Sequence, residues 1–273
     1  MTKVLLSLSW ILASHALVSP GFAQTAVQSA AYPLKPIRLV VPFPAGGPTD
    51  QFARQYAQAL SMQLGKPVVV DNTGGAGGTI GAAKVANSKP DGYTVLFHNM
   101  AQASAPALYS KLTYDPLKDF SPIGMVADVP MVLVVRKDFP AESLHGFIDY
   151  VRANPGKLNF ANAGFGATSN LCETLMKSTL SASWTSVSYK GTGPALNDLL
   201  AGQVDAICDQ PASTLQHIRA GNLKAIAVAT KERISSLPTS QLSANRECQD
   251  FSCQFGMVCM HQKIRQSLLL IGL

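Results

Sequence analysis

The chain has 273 residues, 47 % hydrophobic and 14 % charged, with 22 Lys and Arg against 16 Asp and Glu. That composition supplies a core for one large or two modest domains and excludes a disordered chain. The basic residues are scattered, without a run or a basic helix face interleaved with aromatics, which argues against nucleic acid as a partner.

The opening residues MTKVLLSLSWILASHALVSPGFAQ combine Lys3, an apolar run from Val4 to Val18 and a small-residue context at Gly21-Phe22-Ala23. They predict a secretory signal peptide over residues 1–23. The run falls short of the ~20 apolar residues a membrane span needs. Without Lys3 the exported chain would carry 21 basic and 16 acidic residues, a net charge of +5. Cys172 and Cys208 lie in the body of the chain, whereas Cys248, Cys253 and Cys259 crowd its end. An odd count leaves at least one thiol unpaired in a monomer.

Ile37 to Val41 reads as a short buried strand, Pro42 to Pro48 as irregular, and Thr49 to Leu64 as an amphipathic helix with Phe52, Ala53, Tyr56, Leu60 and Leu64 on one face. Such a helix aims unpaired N–H groups and the positive end of its dipole back over the strand end, which suits an anion. Gly46 and Gly47 let a ligand approach those amides. Asp50, early in the helix, favours the dipole and is a candidate to orient a ligand's amine, hydroxyl or bound water.

Pro67 to Val70 is the next strand, followed by a second glycine-rich loop from Asp71 to Gly81. This loop departs from a dinucleotide fingerprint: Ile80 stands where the third glycine belongs, and the loop follows the second strand rather than the first. No cofactor is expected. A helix through Val85, a Pro90-Asp91-Gly92 turn and a strand from Tyr93 to Phe97 continue the strand-helix alternation of an α/β fold. Ser121–Val126 and Pro130–Val135 break it, because only Ala127 to Val129 separate them, and a crossing between domains is placed there.

A second series follows: a helix opened by Ser143, a strand from Leu158 to Ala161, and a hydroxyl-bearing loop from Asn162 to Ser169 before a helix to about Leu180. Trp184–Tyr189 is a strand leading into Lys190-Gly191-Thr192-Gly193 and a helix with Pro194 at its start. Val204–Cys208, a helix from Ser213 to Ala220 and the strand Leu223–Ala229 complete the pattern. Two αβ units with glycine-rich loops at strand ends predict a cleft between two lobes.

A hydrolase needs a nucleophile, a base and an orienting acid. His98, His145 and His217 are isolated, none lies in HExxH or beside a GxSxG elbow, and they read as packing or surface residues. Paired acid/base roles for Asp50, Asp205 and Asp209 would need a short separation that sequence does not show, and no enzyme is expected. The spacings among Cys248, Cys253, Cys259 and His261 fit no zinc pattern, and no metal is expected.

Six stretches in this order resemble the Bug family, the periplasmic receptors of tripartite tricarboxylate transporters: YPLKPIRLVVPFPAGGPTDQFAR, PVVVDNTGGAGGTIGA, KPDGYTVLF, ALYSKLTYDPLKDFSPIG, SYKGTGPALNDLLAGQVDAICD and LKAIAVATKERISSLP. The resemblance covers about Tyr32 to Pro238. It implies a two-lobed type II periplasmic-binding fold that closes on a small organic acid, without catalysis, in a monomeric periplasmic receptor that works with membrane transporter subunits or, alternatively, a membrane sensor. The two readings together assign ligand contacts to Phe43, Pro44, Ala45, Gly46, Gly47, Thr49 and Asp50 in one loop and to Gly75, Ala76, Gly77 and Gly78 in another. On the opposite lobe they assign Gly164, Gly166, Ala167, Thr168 and Ser169, then Lys190, Gly191, Thr192 and Gly193, and Asp209.

The expected organisation is lobe one over 24–127, lobe two over 128–230, and an atypical tail over 231–273. After Pro238 the sequence departs from the family pattern as a translated frameshift would. The strand returning to lobe one is expected to be missing, leaving that lobe short of cover.

Overall fold

A computed structural model describes residues 32–230, 234, 236 and 237, together with the backbone of Gln241–Leu242 and Gln254–Gln262. The expected signal peptide, most of the tail and the side chains of Cys248, Cys253, Cys259 and His261 lie outside the described residues.

The first lobe runs β1 (Ile37–Val41), α1 (Pro48–Leu64), β2 (Val68–Asn72), a 3-10 turn at Ala76–Gly78, α2 (Thr79–Ala86), β3 (Thr94–His98), α3 (Ala101–Leu108) and β4 (Phe120–Pro130). The second runs β5 (Val132–Arg136), α4 (Leu144–Ala153), β6 (Asn159–Asn162), α5 (Thr168–Thr179), β7 (Thr185–Ser188), α6 (Thr192–Leu200), β8 (Ala206–Asp209), α7 (Pro211–Arg219) and β9 (Leu223–Val228). Two further strands follow, β10 (Gln241–Leu242) and β11 (Gln254–Gln262). One sheet has the order β2-β1-β3-β11-β4 and the other β10-β9-β5-β8-β6-β7.

Local sequence explains these elements. Leu39, Val40 and Val41 of β1 and Val132 to Val135 of β5 are buried throughout, as strands covered by helices on both faces must be. Pro48 opens α1 at a position where its missing N–H costs nothing, and Gly65 closes it in the left-handed conformation, φ 61°. In the second lobe Phe139, Phe147, Leu158, Phe160, Met176 and Trp184 form one core cluster, with the Phe160 and Trp184 rings stacked at 5.2 Å. A disulfide joins Cys172 of α5 to Cys208 of β8 across 36 residues. Closing a loop of that size is worth roughly 4 kcal/mol in chain-entropy terms, and it ties α5, which starts at the cleft, to β8, which ends there.

The structure corrects two expectations. β4 is one 11-residue strand that ends at Pro130, so the chain passes between the sheets at Met131, not after Ala127. The returning strand is present: β11 lies between β3 and β4, antiparallel to both, from Gln254↔Pro130 to Gln262↔Phe120 along β4. Dissimilarity to a family pattern bears on side chains, whereas a ladder is made by backbone N–H and C=O groups. The apolar run Phe255 to Met260, interrupted only by Gly256, is compatible with a buried strand. With β11 in place β4 has a partner along its whole length, which is why it does not stop at Val126.

Candidate functional site

Between the sheets lies a cavity of roughly 210 Å³, lined by Phe43 to Thr49 and Asn99 from the first lobe and by Ala163, Ala167 to Ser169, Gly191 to Pro194, Asp209 and Gln210 from the second. Every lining segment is the junction of a strand end with the following helix. Gly47, Ala167, Gly191 and Gln210 are the N-caps of α1, α5, α6 and α7, and none of the four makes a side-chain capping bond. Ser, Thr, Asp and Asn are the usual N-caps because their oxygens satisfy the first free amides. Here no side-chain oxygen of the N-cap residue takes those amides; Pro48, Pro194 and Pro211 bring no N–H to the first turns of α1, α6 and α7, and the Ser213 N–H of α7 donates to the Gln210 carbonyl at 3.2 Å. The starts of α2 and α3 differ: α2 continues from the 3-10 turn, and the Asn99 Oδ1 accepts from the Ala101 N–H of α3 at 3.0 Å.

The first-lobe wall is held from behind. Asp50 does not line the cavity. Its carboxylate is buried and accepts from the Gly46 N–H at 2.8 Å, Arg54 Nε at 2.9 Å and Asn72 Nδ2 at 2.9 Å. Burial raises its pKa, but the bonds from Arg54, Gly46 and Asn72 outweigh that and hold it below the usual carboxylate range. Asn72 Nδ2 also reaches the Phe43 carbonyl at 3.1 Å. Asp50 thus braces the loop from Phe43 to Gly47. Thr49 lines the cavity, its Oγ1 accepting from Asn99 Nδ2 at 3.2 Å.

The loop at Gly75, Ala76, Gly77 and Gly78 sits beside the cavity and does not line it. It meets the other lobe instead: a Cβ at Gly77 would come within 2.6 Å of the Tyr109 hydroxyl and 2.9 Å of the Phe165 carbonyl. That hydroxyl donates to the Phe165 carbonyl at 3.1 Å, and the two rings meet edge to face at 5.5 Å. Gly78 backs onto His98, whose buried ring accepts from the Asn99 N–H at Nδ1 and is hydrogen-bonded to the Gly78 backbone. Burial lowers the His98 pKa to about 4, so the ring is neutral.

In the second lobe Ala167, Thr168, Ser169, Gly191, Thr192, Gly193 and Asp209 line the cavity, whereas Gly164, Gly166 and the exposed Lys190 do not. Gly164 shapes the wall, its N–H donating to Asn162 Oδ1 at 2.9 Å. Asn162 Nδ2 in turn donates to the buried Glu173 at 2.7 Å, which also receives Trp184 Nε1 at 3.1 Å and the Ser186 hydroxyl. Asp209 is buried, and desolvation raises its pKa from 3.8 to about 6 despite bonds from the Gln210 N–H, Thr192 and Ser213.

Sequence reasoning missed Asn99 and Gln210. Each follows directly on a buried strand, β3 through His98 and β8 through Asp209. A polar residue at such an exit before a helix is the signal that finds them.

Two α/β lobes with four helix starts converging on a small cleft define a two-lobed ligand-binding protein of the periplasmic-binding type. The family model described as "Tripartite tricarboxylate transporter family receptor" matches residues 52–262, and the chain belongs to that family. A UPF0065 protein from the ttuE-ttuC' intergenic region of Agrobacterium vitis is 44 % identical over 207 residues, 76 % of this chain and 60 % of that protein. The chain therefore spans about three-fifths of that relative's length. Among solved structures, the periplasmic binding protein BugD is similar at a TM-score of 0.81 and 43 % identity, over 85 % of this chain and 78 % of BugD. MatC from Rhodopseudomonas palustris, solved with bound malate, is similar at a TM-score of 0.79 and 36 % identity, over 85 % and 79 %. The family is one of receptors, not of enzymes.

Proposed function

We propose that this protein is an extracytoplasmic solute-binding receptor that captures a small organic carboxylate in the interlobe cleft for a tripartite tricarboxylate-type transporter. The observation that carries the reading is the convergence of the N-termini of α1, α5 and α6, without side-chain caps, on one cavity. Together they present free N–H groups and positive dipole ends to an anion. The cavity is smaller than the 300 to 1,000 Å³ of drug-sized sites, which favours an acid of a few carbons. The malate held by MatC, a relative of similar fold, supports the same class.

In this reading Phe43 to Thr49 and Ala167 to Ser169 supply the carboxylate grip, Gly191 to Gly193 close over it, and Asp209 contacts the ligand's other end. Asp50 and the loops at Gly75–Gly78 and Gly164–Gly166 position these segments without touching the ligand. Export to the periplasm, through the leader at residues 1–23, and docking of a monomer on membrane transporter subunits belong to the same proposal.

The test is scanning calorimetry of residues 24–273 with a panel of di- and tricarboxylates, acidic amino acids and nicotinate. A ligand that binds the folded state raises the midpoint, by the equivalent of about 2.7 kcal/mol at a hundredfold excess over Kd. A midpoint that no acid moves, in a chain that unfolds cooperatively, would sink the reading.

A further inference from the structure

The polar groups lining the cavity are one-sided in charge. Among the described residues no Lys, Arg or His lines it, and Asp209 is its one titratable side chain. The Asp209 carboxylate, 3 % exposed, accepts from the Gln210 N–H at 2.8 Å and the Ser213 hydroxyl at 3.3 Å, and is hydrogen-bonded by Thr192. A carboxylate accepts at about four lone-pair positions, so capacity remains. Beside it, the Gln210 Oε1, on a residue 1 % exposed, has no hydrogen-bond partner, and neither has the Thr168 Oγ1. Buried polar atoms are ordinarily paired, and an orphaned acceptor at a cavity wall marks a place for a donor.

The two walls therefore ask for different things. The helix starts offer N–H groups to an anion, whereas the patch at β8 offers a carboxylate and an amide oxygen. A second ligand carboxylate placed on that patch would meet like charge and a lone-pair acceptor, in a site with no cation to offset it. An ammonium there would satisfy both acceptors at once, and a hydroxyl one of them.

We propose that the receptor selects acids bearing a hydrogen-bond donor, an ammonium or a hydroxyl, over plain dicarboxylates, and that Asp209, assisted by Gln210, is the specificity-determining residue. This rests on reading the cleft as a carboxylate site. It moves the role of donor recognition from Asp50, which accepts from Gly46, Arg54 and Asn72 and does not line the cavity, to the opposite lobe.

Titration calorimetry at pH 7.5 with succinate, malate and aspartate tests it, because the three share four carbons and two carboxylates and differ at one substituent. The wild type is expected to bind aspartate or malate at least thirtyfold more tightly than succinate. Asp209→Asn should narrow that preference to within about threefold, with an unfolding midpoint no lower than the wild type's. Gln210→Met, which keeps the side chain's length and removes the acceptor, should narrow it by several fold and serves equally if Asp209→Asn does not fold. Succinate binding as tightly as the other two, or a preference untouched by both variants, overturns the proposal while leaving a carboxylate receptor intact. Binding of none of the three sinks the carboxylate-site reading, and the proposal with it.

Discussion

Two helices of the second lobe begin in opposite ways. α4 starts at the back of the lobe, where Ser143 adopts an extended conformation and its Oγ accepts from the Gly146 N–H at 3.1 Å. α5 starts at the cleft with Ala167, also extended but at φ −68° and ψ 156° where Ser143 has φ −144° and ψ 161°, and with no side-chain oxygen to offer. The backbone is ready for a cap in both places, and the side chain is supplied in one. Replacing a Ser cap by Ala costs typically ~1 kcal/mol, so α5 gives up stability of that order to leave its amides open, whereas Gly47 and Gly191 at the starts of α1 and α6 give up only roughly a few tenths of that. α2 also starts without a side-chain cap and does not line the cavity, so the contrast has force through the place of the uncapped starts of α1, α5, α6 and α7 at the cleft.

The comparison breaks most sharply if a cap is installed at the cleft. Ala167→Asp would place a carboxylate on the free amides of α5 and a negative charge where the ligand's carboxylate is expected. Two like charges about 4 Å apart at an effective dielectric of 20 repel by roughly 4 kcal/mol, near a thousandfold in affinity. Titration calorimetry should show binding lost, while thermal unfolding of the ligand-free variant shows a midpoint equal to or above that of the parent. A variant that still binds would mean that α5 takes no part in holding the anion.

A second test uses the acid already present. Asp209 precedes the start of α7, yet burial pushes its carboxyl up to about 6 from 3.8, opposite to what a capping carboxylate would show. The folded state thus holds this proton more tightly than the unfolded chain. Stability from this group is intact below about pH 4 and falls as pH rises toward 6, by roughly 2 to 3 kcal/mol. Asp209→Asn should remove that fall. Its ligand-free unfolding free energy should exceed the wild type's at pH 8 and match it at pH 4, read by denaturant melts at both values.

Much of this was legible in the sequence. Glycine and proline punctuation marked the strand-to-helix junctions at Gly46 to Thr49, Gly164 to Ser169 and Gly191 to Pro194, because a chain that must turn between a buried strand and a helix has few residue types to use. Direction was not legible. Asp50 looked like a ligand contact, but its place in the first turn of α1 sets it beside Arg54, four residues on, and Asn72 of the neighbouring strand, and no spacing rule reports that rotation. Gln210 was passed over for a similar reason: it is an uncommon N-cap residue, and only its place directly after the buried strand β8 and before α7 marks it. β11 was missed because strand addition is decided by which ladder is open, here the gap between β3 and β4, and not by a local motif.

Closure across the cleft sharpens the comparison by asking whether the open amides are reached from one lobe or two. Gly191, the N-cap of α6, has φ +114°, and a Cβ there would stand 2.9 Å from Pro44 Cγ on the other lobe. Gly191→Ala should hold the lobes apart and weaken acid binding about tenfold, in addition to its local backbone cost. Small-angle scattering with saturating ligand should show the variant more extended than the wild type, and equal profiles would remove Pro44 to Gly191 from the closing contacts.

The smallest expected effect is the control that gives the others meaning. Ser143→Ala removes the cap of α4, leaves Gly146 N–H to water and touches nothing that lines the cavity. The helix is anchored by Leu144, Phe147, Ile148 and Val151, all buried, so it should persist with an unfolding free energy lower by about 1 kcal/mol. Ligand affinity, measured by calorimetry on the same preparation, should not change. If Ser143→Ala weakened binding as well, helix-end stability and ligand capture would be coupled through the lobe as a whole, and the difference between a capped and an uncapped start would no longer divide fold from function.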